Sequence, residues 1–122
     1  MSNDLYDRAV AISERAYAPY SNYLVGAAVR TRDGKIFEGV NVENAAYPLG
    51  VCAEKTALAK AVSEGYKPGD IEAIGITASP CGGCRQWLYE FRIGEVTFMS
   101  SAGELVTYSA AELLPETWDL PA

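Results

Sequence analysis

The chain has 122 residues, no histidine and a formal net charge of -6 at neutral pH. A negative surface repels phosphates, which argues against a nucleic-acid polymer as ligand, and no apolar run is long enough to span a membrane. The length predicts a single domain over residues 1–122, with a core that needs no disulfide bonds.

The start of the chain and its cysteine count bear on location. The first residues, Met1-Ser2-Asn3-Asp4, are polar and do not resemble a signal peptide. Three cysteines cannot all pair within one chain, which fits a reducing compartment. We therefore expect a cytoplasmic protein.

Hydrophobic periodicity and turn residues predict alternating helices and strands. A first helix is expected, with Asn3 or Asp4 as its cap and an apolar face of Leu5, Ala9, Ile12 and Ala16. The later elements, in chain order, are strands at 25–31 and 35–40 joined by a turn at 32–34, a loop at 41–50, a helix at 52–64, a strand at 71–77, a helix near 84–91, strands at 95–99 and 104–108 around a turn at 102–103, and a short helix that starts with a capping box at 109–112. The helix near 84–91 is expected to bury Trp87, Leu88 and Phe91. This alternation predicts a layered α/β domain with a mixed sheet.

The three cysteines are placed in a pattern with a chemical logic. Cys52 lies in Cys52-Ala53-Glu54, and the other two lie in Pro80-Cys81-Gly82-Gly83-Cys84. In the predicted layout all three thiols are at helix starts, where spare N–H groups and the helix dipole stabilise thiolates. Three thiolates can hold zinc and leave its fourth position open to water, and a glutamate beside that water can move protons.

Other readings of the same residues are possible. Cys81 and Cys84 alone fit a redox Cys-x-x-Cys at the start of a helix, with Cys52 a small buried residue. That reading leaves Glu54 unexplained. A closed structural zinc site needs a fourth cysteine or a histidine, and the chain has neither.

The zinc pattern belongs to a longer series of motifs. A first ligand followed by x-Glu and a later Pro-Cys-x-x-Cys is the arrangement of zinc deaminases. The series, in order, is Ala18-Pro19-Tyr20-Ser21, Val25-Gly26-Ala27-Ala28, Asn41-Val42-Glu43-Asn44-Ala45, Cys52-Ala53-Glu54-Lys55-Thr56-Ala57, Ala61-Val62-Ser63-Glu64-Gly65, Ser79-Pro80-Cys81-Gly82-Gly83-Cys84-Arg85-Gln86 and Glu112-Leu113-Leu114-Pro115. It resembles the small, three-cysteine, homotetrameric cytidine deaminases over nearly the whole chain.

The resemblance implies a fold and a reaction. The fold is a three-layer α-β-α sandwich around a five-stranded mixed sheet. The reaction is the hydrolysis of cytidine or deoxycytidine to uridine or deoxyuridine and ammonia, as in pyrimidine salvage. One zinc ion per subunit is held by Cys52, Cys81 and Cys84. Glu54 takes a proton from the activated water and delivers protons to N3 and the leaving amino group. Asn41 and Glu43 match the residues that hold the ribose hydroxyls; taken alone, they would be a turn residue and a solvated charge.

The resemblance also implies further substrate contacts and a shared site. The residues concerned are Tyr23, Ala45, Tyr47, Ala53 and Trp118. Tyr23 is a candidate for stacking on the base, or else an aromatic at the edge of the core. Trp118 is a candidate for covering a neighbouring subunit's site in a homotetramer, or else a residue of the tail that packs on its own subunit.

Charge compensation is an open question in the sequence. Three thiolates donate three negative charges to one Zn²⁺ ion, and this excess weakens the ion as a Lewis acid. A positively charged side chain is therefore expected nearby. Many family members have an arginine after the catalytic glutamate, whereas this chain has Lys55, which cannot make the same forked contact. Arg85 is the other candidate. Taken alone, it would be an ordinary surface cation at the start of a helix.

The substrate also has alternatives at this stage. The partner implied is a small pyrimidine nucleoside, with no nucleic-acid polymer and no membrane. A sister deaminase acting on another aminopyrimidine, such as a nucleoside antibiotic, is the second enzyme hypothesis. A structural zinc module and a redox protein are hypotheses from other classes.

Overall fold

A computed structural model of the protein describes residues 2–120. Its helices and strands, in chain order, are α1 (Ser2–Ser13), β1 (Gly26–Thr31), β2 (Ile36–Val40), a single 3-10 turn (Tyr47–Leu49), α2 (Ala53–Ser63), β3 (Ile71–Ile76), α3 (Gly82–Glu90), β4 (Glu95–Met99), β5 (Leu105–Tyr108) and α4 (Ala110–Leu113). Every predicted strand and helix is present within a few residues of its expected bounds.

The five strands form one sheet in the order β2-β1-β3-β4-β5. Only β3 and β4 run parallel; the other neighbours are antiparallel. The parallel pair follows from the chain path, because α3 is the crossover between these two strands and a crossover returns the chain in the same direction. The sheet is therefore mixed, as predicted.

Alternate residues of β1 face opposite layers. Ala28 packs with Leu5 of α1 and Ala73 of β3, whereas Ala27 and Val29 belong to the larger core on the other face. That larger core includes the buried face of α2 and the side of α3 that carries Leu88. The helices thus cover both faces, which confirms the three-layer α-β-α sandwich.

Two turn predictions are confirmed in detail. Gly34 has φ 93°, a conformation that suits glycine, in the β1–β2 hairpin. At the start of α4, Ser109 Oγ accepts from the Glu112 amide at 3.1 Å, and Glu112 Oε1 accepts from the Ser109 amide at 2.7 Å. This reciprocal pair is the capping box.

Two local predictions are wrong. The first helix begins at Ser2, so Asn3 and Asp4 lie within its first turn rather than at the cap; an acidic residue there suits the positive end of the helix dipole. Trp87 was expected to be buried but is 36 % exposed, because the inward stripe of α3 follows Cys84, Leu88 and Phe91. The Trp87 ring lies at the edge of that stripe.

Gly39 of β2 sets how closely α2 approaches the sheet. A Cβ at this position would lie 2.4 Å from the Ala57 nitrogen and 2.8 Å from the Ala53 oxygen. We expect Gly39→Ala to lower the free energy of unfolding by about 1–3 kcal/mol, the usual range for overpacking. Urea unfolding measures this, with Gly94→Ala as control because its Cβ would meet nothing within 4 Å. Equal effects of the two substitutions would show that α2 is not held against Gly39.

Within the described part of the chain, every helix is too short or too polar to cross a bilayer.

Candidate metal centre and active site

Three thiols meet where α2 and α3 begin. Cys52 is the N-cap residue of α2, Cys81 is the N-cap residue of α3, and Cys84 lies in the first turn of α3. The three sulfur atoms lie within 4.8 Å of one another, and Cys52 Sγ is 4.0 Å from Cys81 Sγ. Residues that are 29 positions apart in sequence are therefore brought to one point by two helix starts.

This donor set fits a zinc ion. A tetrahedral centre with Zn–S bonds of about 2.3 Å places its sulfurs about 3.8 Å apart, close to the separation seen here. Cys84 is buried, Cys52 half-buried and Cys81 exposed, so the cluster opens on one side. Among the described residues no fourth cysteine or histidine closes the centre, which leaves a position for water.

The surroundings of the cluster favour thiolate. The Cys84 amide donates to Cys81 Sγ at 3.5 Å, and the start of α3 adds its positive dipole end. A hydrogen bond with Cys84 lowers the pKa of the Cys52 thiol, with help from the positive charge of Lys55. The same bond raises the pKa of Cys84, which acts as the donor. Negative charge is thus already stabilised at Cys52.

Glu54 is a buried carboxyl group beside the thiols. It is 3 % exposed, in the first turn of α2. Burial, followed by the negative charge of Cys52, raises the pKa of Glu54 to about 7. A carboxyl group in this environment can both take up and release a proton near neutral pH, as a general acid–base residue must.

Cys52, Cys81 and Glu54 line a cavity of about 380 Å³, and the buried Cys84 lies behind it. It contains five of the predicted substrate-contact residues: Tyr23, Asn41, Glu43, Tyr47 and Ala53. The other lining residues are Val25, Val42, Gly50, Val51, Cys52, Glu54, Ala78, Ser79 and Cys81. A volume of this size suits a small molecule rather than a polymer.

Glu43 is held firmly at one wall of this cavity. Its Oε1 accepts from the Tyr20 amide at 3.0 Å and from the Ser21 amide at 3.1 Å. Its Oε2 accepts from the Ser21 hydroxyl. The Ser21 hydroxyl bond lowers the pKa of Glu43, so the carboxylate is ionised at neutral pH. Glu43 is therefore an oriented acceptor and not a freely solvated charge.

Asn41 braces the segment that carries Tyr23. Its Oδ1 accepts from the Val25 amide at 2.9 Å, and its Nδ2 donates to the Tyr23 carbonyl at 2.9 Å. The Oδ1 atom can accept one more hydrogen bond, and the Nδ2 group can donate one more. Asn41 can therefore fix the cavity wall and also bind a ligand.

Two predicted contact residues lie away from the cavity lining. Ala45 is in the exposed loop after Val42, and Trp118 is in the C-terminal tail, 71 % exposed. The tail is held to the rest of the chain by an ion pair between Asp119 and Arg92 at 2.7 Å. A single chain thus does not bring Trp118 to its own cavity.

The two candidate cations have different surroundings. Arg85 donates to the Pro80 carbonyl at 2.9 Å, to the Leu113 carbonyl at 3.2 Å and to the Ser79 hydroxyl at 3.3 Å. It therefore ties the loop before Cys81 to α4. The ammonium group of Lys55 lies over the Trp87 ring, 5.9 Å from its centroid.

Sequence reasoning missed Ala78 and Ser79 as cavity residues. They connect the end of β3 to Pro80 and Cys81, and both line the cavity. A signal was present, because residues between a strand end and a metal ligand must pass beside the metal.

Comparison with known proteins identifies the family. The family model for the cytidine and deoxycytidylate deaminase zinc-binding region matches residues 1–100. The chain belongs to this deaminase family. Its three-cysteine cluster and Glu54 fall inside the matched region.

Relatives and solved structures agree with this membership. A probable cytidine deaminase of Dictyostelium discoideum is 45 % identical over 116 residues, covering 89 % of this chain and 78 % of the relative. A cytidine deaminase of Sporosarcina psychrophila is 43 % identical over 110 residues, covering 84 % and 79 %. The crystal structure of cytidine deaminase from Burkholderia pseudomallei has a TM-score of 0.89 at 44 % identity, covering 97 % of this chain and 99 % of that one. The deaminase fold thus extends over nearly the whole chain.

Proposed function

We propose that the protein is a zinc-dependent cytidine deaminase that hydrolyses cytidine and deoxycytidine to uridine and deoxyuridine, with release of ammonia. The observation that carries the proposal is a cluster of three thiols, two of which line a cavity of about 380 Å³ together with the buried carboxyl group of Glu54. Cytidine deaminases at 41–45 % identity support the substrate.

Cys52, Cys81 and Cys84 would hold the zinc ion. When bound, zinc supplies the Lewis acidity that lowers the pKa of a water molecule to about 7. Glu54 accepts a proton from the attacking water and passes it to N3 as the new C–O bond forms at C4. Glu54 then moves a second proton to the amino group, the C4–N bond breaks, and ammonia leaves. Its burial keeps bulk water from exchanging with these protons.

Asn41 and Glu43 would orient the ribose through its hydroxyl groups. We expect Glu43→Gln to reduce kcat/KM for cytidine about 10- to 100-fold, chiefly through KM, because it loses a charge-assisted hydrogen bond. Steady-state kinetics measure this, and the amide keeps the shape of the side chain. Glu104→Gln, in the exposed turn before β5, is the control for loss of one carboxylate. Unchanged kinetics in Glu43→Gln would remove Glu43 from the site.

The substrate is a nucleoside rather than a nucleotide. Lys and Arg do not appear among the residues that line this cavity or the adjoining one of about 250 Å³ around Ser21 and Asn44. Both cavities contain the ionised Glu43, which repels a phosphate. Cytidine, deoxycytidine and CMP should be compared by product chromatography. Turnover of CMP alone would contradict the proposal, and turnover of only a modified aminopyrimidine nucleoside would support the sister activity instead.

The chain would work as a single-domain subunit of a homotetramer with shared sites. An exposed apolar surface along α2 and α3 supports this, with Val51, Val62 and Trp87 at 41 %, 46 % and 36 % exposure. Trp118 is 71 % exposed next to the anchored Asp119 and would cover another subunit's cavity, where Ala45 would also contribute at the rim. Light scattering tests the assembly, and a monomeric mass would contradict it.

The three thiols are free in the structure, and zinc thiolates persist where disulfides do not form. This supports a cytoplasmic location, which cell fractionation tests; recovery only outside the cytoplasm would contradict it.

A further inference from the structure

Lys55 and Trp87 form a contact between the helices α2 and α3. Lys55 follows Glu54 on α2, and Trp87 lies one turn after Cys84 on α3. The pair therefore connects the two helices whose starts supply the thiols. Its ammonium-to-ring distance of 5.9 Å is within the range of a cation–π contact.

The position of the Trp87 ring is itself fixed. It stacks on Phe91 with centroids 6.4 Å apart and planes 18° from parallel. Phe91 is buried, so it holds the indole from the core side. Trp87 and Lys55 also line one cavity together. A fixed aromatic face thus restricts where the Lys55 ammonium can lie.

The alternative cation is already occupied. The guanidinium of Arg85 donates to two carbonyl groups and one hydroxyl. Lys55, in contrast, makes no hydrogen bond or ion pair in the described part of the chain, and its described partner is the Trp87 ring. Lys55 lies three residues after Cys52 in the first turn of α2, so its side chain leaves the same helix start that carries this thiol.

We propose that Trp87 is a positioning residue that holds the Lys55 ammonium at the start of α2, three residues after Cys52, where this cation offsets part of the thiolate charge. The inference rests on the proposed zinc site. A lysine lacks the forked geometry by which an arginine could bind the thiolates directly, so an external contact has to fix its position. The indole face supplies that contact without neutralising the charge.

Zinc affinity, measured by competition with a chromophoric chelator, tests the proposal without reference to turnover. Trp87→Leu is expected to weaken zinc binding about two- to fivefold, the worth of one exposed cation–π contact. Trp87→Phe, which keeps an aromatic face, should restore most of the loss. Lys60→Met is the matched control, because Lys60 is on the same helix but donates to the Glu38 carbonyl.

A double-mutant cycle separates positioning from packing. If Trp87 acts through Lys55, Trp87→Leu should change zinc affinity by less than about twofold in a Lys55→Met background. An equal loss in both backgrounds would overturn the inference, and so would unchanged affinity in Trp87→Leu alone. Failure of the wild-type chain to bind zinc would instead overturn the proposed function.

Discussion

Glu54→Gln should lower kcat for cytidine by about 10²- to 10⁴-fold, the usual contribution of a general acid–base residue. The amide has nearly the same shape as the carboxyl group, but it cannot accept and release a proton. Because Glu54 is not one of the three zinc ligands, the variant should still bind zinc as the wild type does. Stopped-flow or steady-state deamination, with metal analysis of the same sample, measures both quantities.

The control for Glu54→Gln is Glu64→Gln, which removes an exposed carboxylate at the other end of α2. This variant should retain full activity. Normal turnover in Glu54→Gln would contradict the assigned mechanism. Loss of turnover together with loss of zinc would mean that Glu54 acts on the metal centre rather than on protons.

Cys81→Ser should release zinc and abolish turnover. Cys81 is exposed, so the substitution removes a ligand without leaving a core cavity. The loss of zinc affinity should exceed the 10- to 100-fold that removal of an outer partner of a metal ligand costs. Equilibrium dialysis against buffered zinc, followed by deamination kinetics, measures both effects.

Wild-type protein stripped with a chelator is the control for Cys81→Ser. Zinc returned to the stripped protein should restore activity, whereas the same zinc concentration should not restore Cys81→Ser. If Cys81→Ser kept one zinc per chain and normal turnover, the three-thiol centre would be wrong. A reversible disulfide between Cys81 and Cys84 in a metal-free but functional protein would favour the redox hypothesis.

The parts of the fold that the sequence predicted correctly are determined by residues that are adjacent in the chain. The hairpin after β1 depends on Gly34, and the start of α4 depends on the Ser109–Glu112 box, so a few adjacent residues determine each. The start of α3 at Gly82, two residues earlier than expected, was harder to predict. Two adjacent glycines are poor helix formers, and the helix starts there because Cys81 caps it.

The candidate site likewise has a part that the sequence predicted and a part that it could not predict. The chemistry of Cys52, Glu54 and the Pro-Cys-x-x-Cys segment predicted one cluster, because no other arrangement uses all of these groups. The different surroundings of Lys55 and Arg85 could not be predicted. They depend on the Leu113 carbonyl and the Trp87 ring, and only the packing of α3 determines where these lie. Trp118 lies outside the cavity lining of its own chain, so its role at another subunit's site stays a prediction.

The central claim is that zinc at the three thiols makes this protein a cytidine deaminase. The most direct test is to add zinc stepwise to metal-free protein and follow the fall in ultraviolet absorbance of cytidine as it becomes uridine. Turnover should rise in proportion to bound zinc and level off at about one ion per chain, as a three-ligand site requires. Bound zinc with no conversion of cytidine or deoxycytidine would contradict the proposed reaction, and full turnover without zinc would contradict the metal centre.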